Sequence, residues 1–178
     1  MADQAKPKRP IPPLDNRRLR DLALRYVGRY ATTKAKLSAY LARKIGERGW
    51  AEGQSRPDLD TMMAEFSDLG YVNDAAYAQS RARAFVRRGY GKARAEQDLY
   101  AAGVGDNDAK DARSETDQGT YASAHAFARR KKIGPYAPTI APPELKQKQL
   151  GAFLRAGHSF TLARRFINAA PGEEIESE

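Results

Sequence analysis

Leu69-Gly70-Tyr71-Val72-Asn73-Asp74 decides how this chain is read. An apolar helical stripe stops at a glycine, and Asn73 or Asp74 then supplies a capping side chain, so the stretch is a seam between two helices. Upstream, Leu59, Met62, Met63, Phe66 and Leu69 form one continuous stripe behind a cap at Asp58 or Asp60, with the two methionines as core fillers. Downstream, projection at about 100° per residue puts Ala78, Ala82, Phe85 and Val86 on one buried face. The opposite half carries Arg81, Arg83, Arg87 and Arg88, and no carboxylate follows Asp74 until Glu96. A solvated helix face ordinarily mixes signs, so this one is expected to be a positive contact face. It closes at Arg87-Arg88-Gly89-Tyr90-Gly91, whose glycines are read as turn residues.

On the N-terminal side, residues 1–15 form a basic, proline-rich segment with Lys6, Lys8 and Arg9, too poor in apolar side chains to offset its ordering entropy, and are expected to be disordered. Leu19, Leu22, Ala23, Tyr26, Val27 and Tyr30 then recur on one helical face, with Arg25 and Arg29 on the other. Thr32 or Thr33 caps a second helix with Leu37, Tyr40, Leu41 and Ile45 inward and Lys36 and Arg43 outward. On the C-terminal side, a fifth helix turns Ala95, Leu99 and Ala102 inward, and a sixth, over Asp106 to about Ser114, has only Ala109 and Ala112 to bury. Ser114 to Gly119 reads as a polar linker. A seventh helix ends in Arg129-Arg130-Lys131-Lys132, where cations also suit the helix dipole. Pro143 opens an eighth, Ser159 caps a ninth, and the acidic tail with Glu173, Glu174, Glu176 and Glu178 is expected to fray.

The helix stops repeat. Ile45 precedes Gly49-Trp50 as Leu99 precedes Gly103-Val104 and Phe153 precedes Gly157-His158, with 54 residues separating successive glycines. Ala109 and Ala112 lie the same 54 residues before Ala163 and Phe166. The expected architecture is therefore all-α, a tandem array of three three-helix repeats, elongated and open to curvature. Its segments are the tail at 1–15, repeats at 16–70, 71–116 and 117–169, and an acidic tail at 170–178. Such an array offers an extended surface suited to polymers.

Composition narrows the function. Among 178 residues, Lys+Arg is 31 against Asp+Glu 22, a formal charge of +9 that favours polyanions or acidic protein surfaces. The absence of cysteine removes disulfides, thiolate nucleophiles and cysteine-based zinc sites. Without a signal core or a long apolar run, the chain is expected to be cytoplasmic, away from membranes. His125 and His158 read as packing residues, Gly89-Tyr90-Gly91 follows a helix and so makes a poor phosphate loop, and Asp58, Asp60, Asp106 and Asp108 are helix-start residues. No nucleophile–base pair, metal cluster or cofactor site emerges, so neither enzyme chemistry nor a cofactor is expected.

Leu69 to Asp74, Ala75-Ala76-Tyr77-Ala78, Arg87-Arg88-Gly89-Tyr90-Gly91 and the run from Leu99 to Gly103-Val104 resemble the central signature of the RecX family, regulators of the RecA recombinase. The resemblance extends over roughly residues 17 to 169. It implies an all-helical, non-enzymatic protein that binds RecA filaments on single- or double-stranded DNA, lodges in the filament groove, and limits ATP hydrolysis and strand exchange. A monomer is expected. Asn73 stands where the family often has the first residue of an Asp-Asp pair, the sixth helix lacks the usual aliphatic residues, and the second helix is extended. The residues expected to meet RecA or DNA are Arg25, Arg29, Lys36, Arg43, Arg81, Arg83, Arg87, Arg88, Tyr90, Lys92, Arg94, Arg129, Arg130, Lys131 and Lys132. The alternative is an independent basic DNA-binding module of helix-turn-helix type.

Overall fold

The computed structural model describes residues 12–176. Among them the order is α1 (Asn16–Val27), α2 (Lys34–Arg48), α3 (Leu59–Asp68), α4 (Asp74–Arg87), α5 (Lys92–Ala101), α6 (Asp106–Gln118), α7 (Thr120–Lys131), a 3-10 turn at Gly134–Tyr136, α8 (Pro143–Arg155) and α9 (Phe160–Asn168), with no β-strand. The chain divides after Asn73 into two compact units. The first holds α1 to α3 and the second α4 to α9.

In the first unit, side-chain caps start each helix by satisfying amides that have no partner within the first turn. Asp15 accepts from Arg18 N at 2.8 Å and Thr33 from Lys36 N at 3.2 Å. Asp58 accepts from Asp60 N at 3.0 Å and from the Thr61 hydroxyl at 2.7 Å, and these bonds hold its carboxyl below the usual carboxylate range. Leu19, Ala23, Leu37, Leu41, Met62, Met63 and Phe66 fill the core. Arg20 clasps α1 to α3 with a two-pronged contact to Glu65 at 2.9 and 2.7 Å and lies over the Phe66 ring.

Two expectations change here. Residues 1–11 of the proline-rich tail lie outside the described residues, but its end is part of the fold. Leu14 is fully buried, its amide donates to Gly49 O at 3.0 Å, and its carbonyl accepts from Ala51 N at 2.8 Å. The buried leucine and these backbone bonds, with Arg48 donating to Pro12 O, tie it to the end of α2. Leu69, expected inside, is half-exposed, because α3 ends at Asp68, Leu69 only caps it, and Val72 takes the core position instead.

Three helices, α3, α4 and α8, terminate with one geometry. Gly70 and Gly89 adopt left-handed backbone, the amide of the residue after each reaches back to the carbonyl five positions earlier, and that residue's ring packs on the aromatic side chain there. Tyr71 lies 5.5 Å from Phe66 and Tyr90 lies 5.3 Å from Phe85. Gly157 repeats the arrangement with His158 against Phe153 at 5.3 Å. Gly49 and Gly103, the other two members of the 54-residue series, also have positive φ.

The second unit contains two buried clusters, one for each remaining helix triplet. Ala78 and Ala82 of α4 meet Ala109 and Ala112 of α6, so α6 needs no aliphatic residues: alanine against alanine lets two helices approach closely and still excludes water. The linker expected at Ser114 to Gly119 is instead helical through Gln118, with Thr116 buried and its hydroxyl donating to Arg113 O at 2.9 Å. A polar sequence outlines a helix poorly, yet here it coats the outer side of one. Gly119, which separates α6 from α7, sits so close to Val86 that a Cβ would lie 2.7 Å from its methyl groups.

The third triplet packs Phe127, Phe153 and Phe166 around α7 to α9, with neighbouring ring centroids 4.6 and 5.7 Å apart. The acidic tail, expected to fray, folds back as far as it is described, while Glu178 lies outside the described residues. Ile175 is buried in this core, Gly172 N donates to Pro135 O at 2.9 Å, and Arg165 donates to Glu176 O at 3.1 Å. The tail's carboxylates face outward, and the single isoleucine among them is its anchor.

Gly91 is a close-approach residue rather than a turn residue. Its φ is an ordinary −80°, but a Cβ there would lie 2.3 Å from Gly157 O. Gly91 N donates to Ala156 O at 2.8 Å and Ala93 N to Gly157 O at 3.2 Å, which ties the α4–α5 turn to the end of α8. Phe85→Ala is expected to cost about 3 kcal/mol through the cavity it leaves, measured by chemical denaturation of the full chain. Gly70→Ala, at a left-handed glycine facing open space, is expected to cost about 1 kcal/mol. Gly91→Ala must push the two backbones apart and is expected to cost more, about 2–3 kcal/mol; the reverse order would show that this contact relaxes.

Candidate functional site

The expected contact residues fall into three groups once the helices are packed. The first group is spent within the fold. Arg81 grips Asp98 of α5 with its Nε at 2.8 Å and Nη2 at 2.7 Å, and lies 5.2 Å from the Phe85 ring. That hydrogen-bonded carboxylate holds the guanidinium even more firmly protonated than usual. Arg83 reaches Glu115 of α6 at 3.2 Å and Lys92 reaches Asp117 at 2.6 Å. The single-signed face expected on α4 is therefore mixed: α5 and α6 bring in the carboxylates that α4 lacks. Arg94 is exposed, with a long contact to Gln97 at 3.5 Å.

The second group gathers around Tyr90 in the second unit. Arg88 lies 5.8 Å and Arg130 5.9 Å from the Tyr90 ring centroid, and Arg130 also covers Phe127 at 5.5 Å and donates to Arg88 O. Lys131 and Arg155 join Tyr90 and Arg130 in lining a shallow depression there. Arg87, Arg88, Arg130 and Lys131 are exposed and form no ion pair with any described residue. The cationic run of α7 is thus divided by role. Arg129 turns to Tyr136, 5.0 Å from its ring and 3.3 Å from its hydroxyl, and Lys132 is the left-handed residue that ends the helix.

The third group lies in the first unit. Arg25, Arg29, Lys36 and Arg43 line one open groove between α1 and α2 together with Lys44, Tyr26, Tyr30 and Tyr40. The tyrosines were expected on the buried face. Tyr26 and Tyr40 are half-buried and stacked 4.3 Å apart at 25°, while Tyr30, 5.2 Å from Tyr26, is 52% exposed. Arg43 and Lys44 share Glu47 at 3.4 and 2.6 Å, and both lie over Tyr40. Lys44 and Arg155 were missed by the sequence reading. The signal for Lys44 was the interleaving of cations with tyrosines at 25–26, 29–30 and 40–44; Arg155 had none.

Both histidines are structural. His125 Nε2 donates to Ile175 O at 3.1 Å, leaving Nδ1 to accept from the Tyr136 hydroxyl at 2.9 Å, so it fastens the C-terminal tail. His158 Nε2 donates to Gly89 O at 3.2 Å, and its buried Nδ1 has no partner. Burial pushes the imidazole below the usual histidine range, the Gly89 carbonyl pulls it partly back, and Arg130 lowers it further. Among the described residues no cluster of three or more His, Cys, Asp or Glu could hold a metal ion, and no helix is long and apolar enough to cross a membrane.

These features define an all-α helical-repeat protein with clusters of surface cations at Tyr90 and along the α1–α2 groove. A family model described as the second three-helix domain of RecX matches residues 73–112, which begin at the seam and cover α4, α5 and the first half of α6. The regulatory protein RecX of Myxococcus xanthus (strain DK1622) is 31% identical over 165 residues, 86% of each chain. That of Agrobacterium fabrum (strain C58 / ATCC 33970) is 33% identical over 105 residues, 59% of this chain and 55% of the relative. The crystal structure of RecX from Lactobacillus salivarius has the same fold, with a TM-score of 0.58 and 18% identity over 84% of this chain and 92% of that one. The chain belongs to the RecX family.

The His158 environment has a pH consequence. A histidine whose folded pKa is depressed contributes its full stability above the unfolded value, near 6.5, and that contribution is lost as pH falls from there through the folded value. The thermal midpoint of the second unit is expected to drop between about pH 7.5 and 5.5, and His158→Gln is expected to flatten that dependence. An unchanged slope in the variant, measured by scanning calorimetry, would mean that another group carries it.

Proposed function

We propose that this chain is a non-enzymatic regulator of the RecA recombinase, which binds RecA filaments on DNA, within the filament groove, and limits ATP hydrolysis and strand exchange. It acts as a monomer in the cytoplasm. Family membership supports the regulatory role. The observation that carries the contact surface is the cluster at Tyr90, where Arg88 and Arg130 meet over one ring beside Lys131; these three, and the exposed Arg87 adjacent in the chain, have no ion-pair partner among the described residues. Leaving four cations unneutralised on a chain that pairs Arg81, Arg83 and Lys92 internally reserves them for an outside acid. Acidic protein side chains and DNA phosphates both supply one, and guanidiniums bind either through two parallel hydrogen bonds.

This division refines the contact set. Arg81 belongs to the scaffold, and its loss acts through stability. The exposed arginines act through binding. Direct recognition of nucleic acid without a recombinase is a second reading, favoured by the tyrosine-lined groove of the first unit.

The test is a titration of DNA-dependent ATP hydrolysis by the cognate RecA. The Arg87→Ala/Arg88→Ala variant is expected to keep its helical content and to need at least about fivefold more protein for half-inhibition, as for interface arginines. Arg81→Ala is expected to lower the unfolding midpoint first. Unchanged inhibition by the double variant would remove Arg87 and Arg88 from the contact.

A further inference from the structure

We propose that the groove between α1 and α2 binds single-stranded nucleic acid, with phosphates held by its lining cations and an unpaired base stacked on Tyr30. The inference deepens the DNA side of the function proposed above and does not require a recombinase.

Three observations carry it. Arg25, Arg29, Lys36, Arg43 and Lys44 all line the groove, and no acidic side chain does; Glu47, shared by Arg43 and Lys44, lies outside the lining. A run of cations along two neighbouring helices follows a polyanion rather than enclosing a small anion. Second, the groove contains an aromatic ladder: Tyr40 stacks on Tyr26, and Tyr30 continues the series at a 53° tilt. Third, Tyr30 lies beyond the end of α1, is 52% exposed, and so contributes little to the core.

The rings distinguish between occupants. An acidic peptide would use the cations and leave the tyrosine faces idle. In a duplex, the base faces are occupied by their neighbours in the stack, so a duplex engages the cations alone. A single strand presents phosphates and free base faces together, and aromatic side chains between cations are how proteins hold such strands with little sequence preference. The open groove suits a continuous chain.

The experiment is fluorescence anisotropy of the full chain, without recombinase, against a labelled strand of about 15 deoxythymidines and a duplex of equal length. A matching uridine strand identifies which sugar the groove takes. The single strand is expected to bind more tightly than the duplex, and Tyr30→Leu is expected to weaken single-strand binding on the order of tenfold while leaving duplex binding and the circular dichroism spectrum unchanged. Tyr30→Phe, which keeps the ring face, is expected to bind as the parent does. Arg29→Glu/Lys36→Glu is expected to weaken both ligands and flatten the salt dependence. Equal binding of the single strand by Tyr30→Leu and the parent would overturn the proposal. So would displacement of the strand by polyglutamate as readily as by unlabelled strand at matched charge, which would assign the groove to acidic protein. The two readings fail separately: the Arg87 and Arg88 variant is scored by ATP hydrolysis, and the Tyr30 variant in a solution without RecA.

Discussion

A helix of nine to fifteen residues with few large apolar side chains is unstable alone, and the described part of this chain is built from such helices. What makes them a structure is the repeated stop. A left-handed glycine lets the backbone reverse, and the next side chain is pinned on the helix just finished, as Tyr71 is on Phe66, Tyr90 on Phe85 and His158 on Phe153. Each stop satisfies carbonyls at the helix end and packs one further side chain against the helix it closes. The surface features follow from it. Tyr90 is where Arg88 and Arg130 meet because it is held on Phe85, and Gly91 is then close enough to share backbone hydrogen bonds with the end of α8.

The second unit makes its close contacts with small residues. Alanines join α4 to α6, Gly119 accepts Val86, and Gly91 meets Gly157 backbone to backbone. Such a core buries little area per residue, so charged pairs at its edge hold the register: Arg81 with Asp98, and Arg113 with both Glu96 and Asp106. These pairs are partly solvated, and each is worth little by itself. Their larger effect is to decide which cations remain available to a partner.

The net charge of +9 thus has a pattern. Arg81, Arg83 and Arg113, whose neighbours in space carry carboxylates, are components of the scaffold, while Arg88 and Arg130, without such neighbours, meet at Tyr90 in one unit. In the other unit, the cations collect along the tyrosine ladder between α1 and α2. In both places an aromatic ring lies among the positive charges, which keeps the guanidiniums oriented while they remain hydrated. The clusters differ in what they offer a ligand. Tyr90 is covered by arginines, whereas Tyr30 has an exposed ring.

Helix order, the glycine stops, the caps at Asp15, Thr33, Asp58 and Ser159 and the 54-residue phase depend on residues within a turn or two of one another, so the amino-acid sequence alone determines them. The cap at Thr33 and the positive φ at Gly49, Gly103 and Gly157 belong to this local chemistry. Whether a given arginine is neutralised depends on side chains brought from other helices, as Asp98 is to Arg81 and Glu115 to Arg83. Only the tertiary structure decides that. It also decided that Leu14 and Ile175, isolated apolar residues in tails that looked unstructured, each fill a core, because burial depends on what lies across the gap rather than on neighbours in the chain. The stretch from Leu69 to Asp74 shows both levels: its stop was legible residue by residue, while the exchange of Leu69 for Val72 in the core was settled by how far the chain had turned when it reached the third helix's inner side.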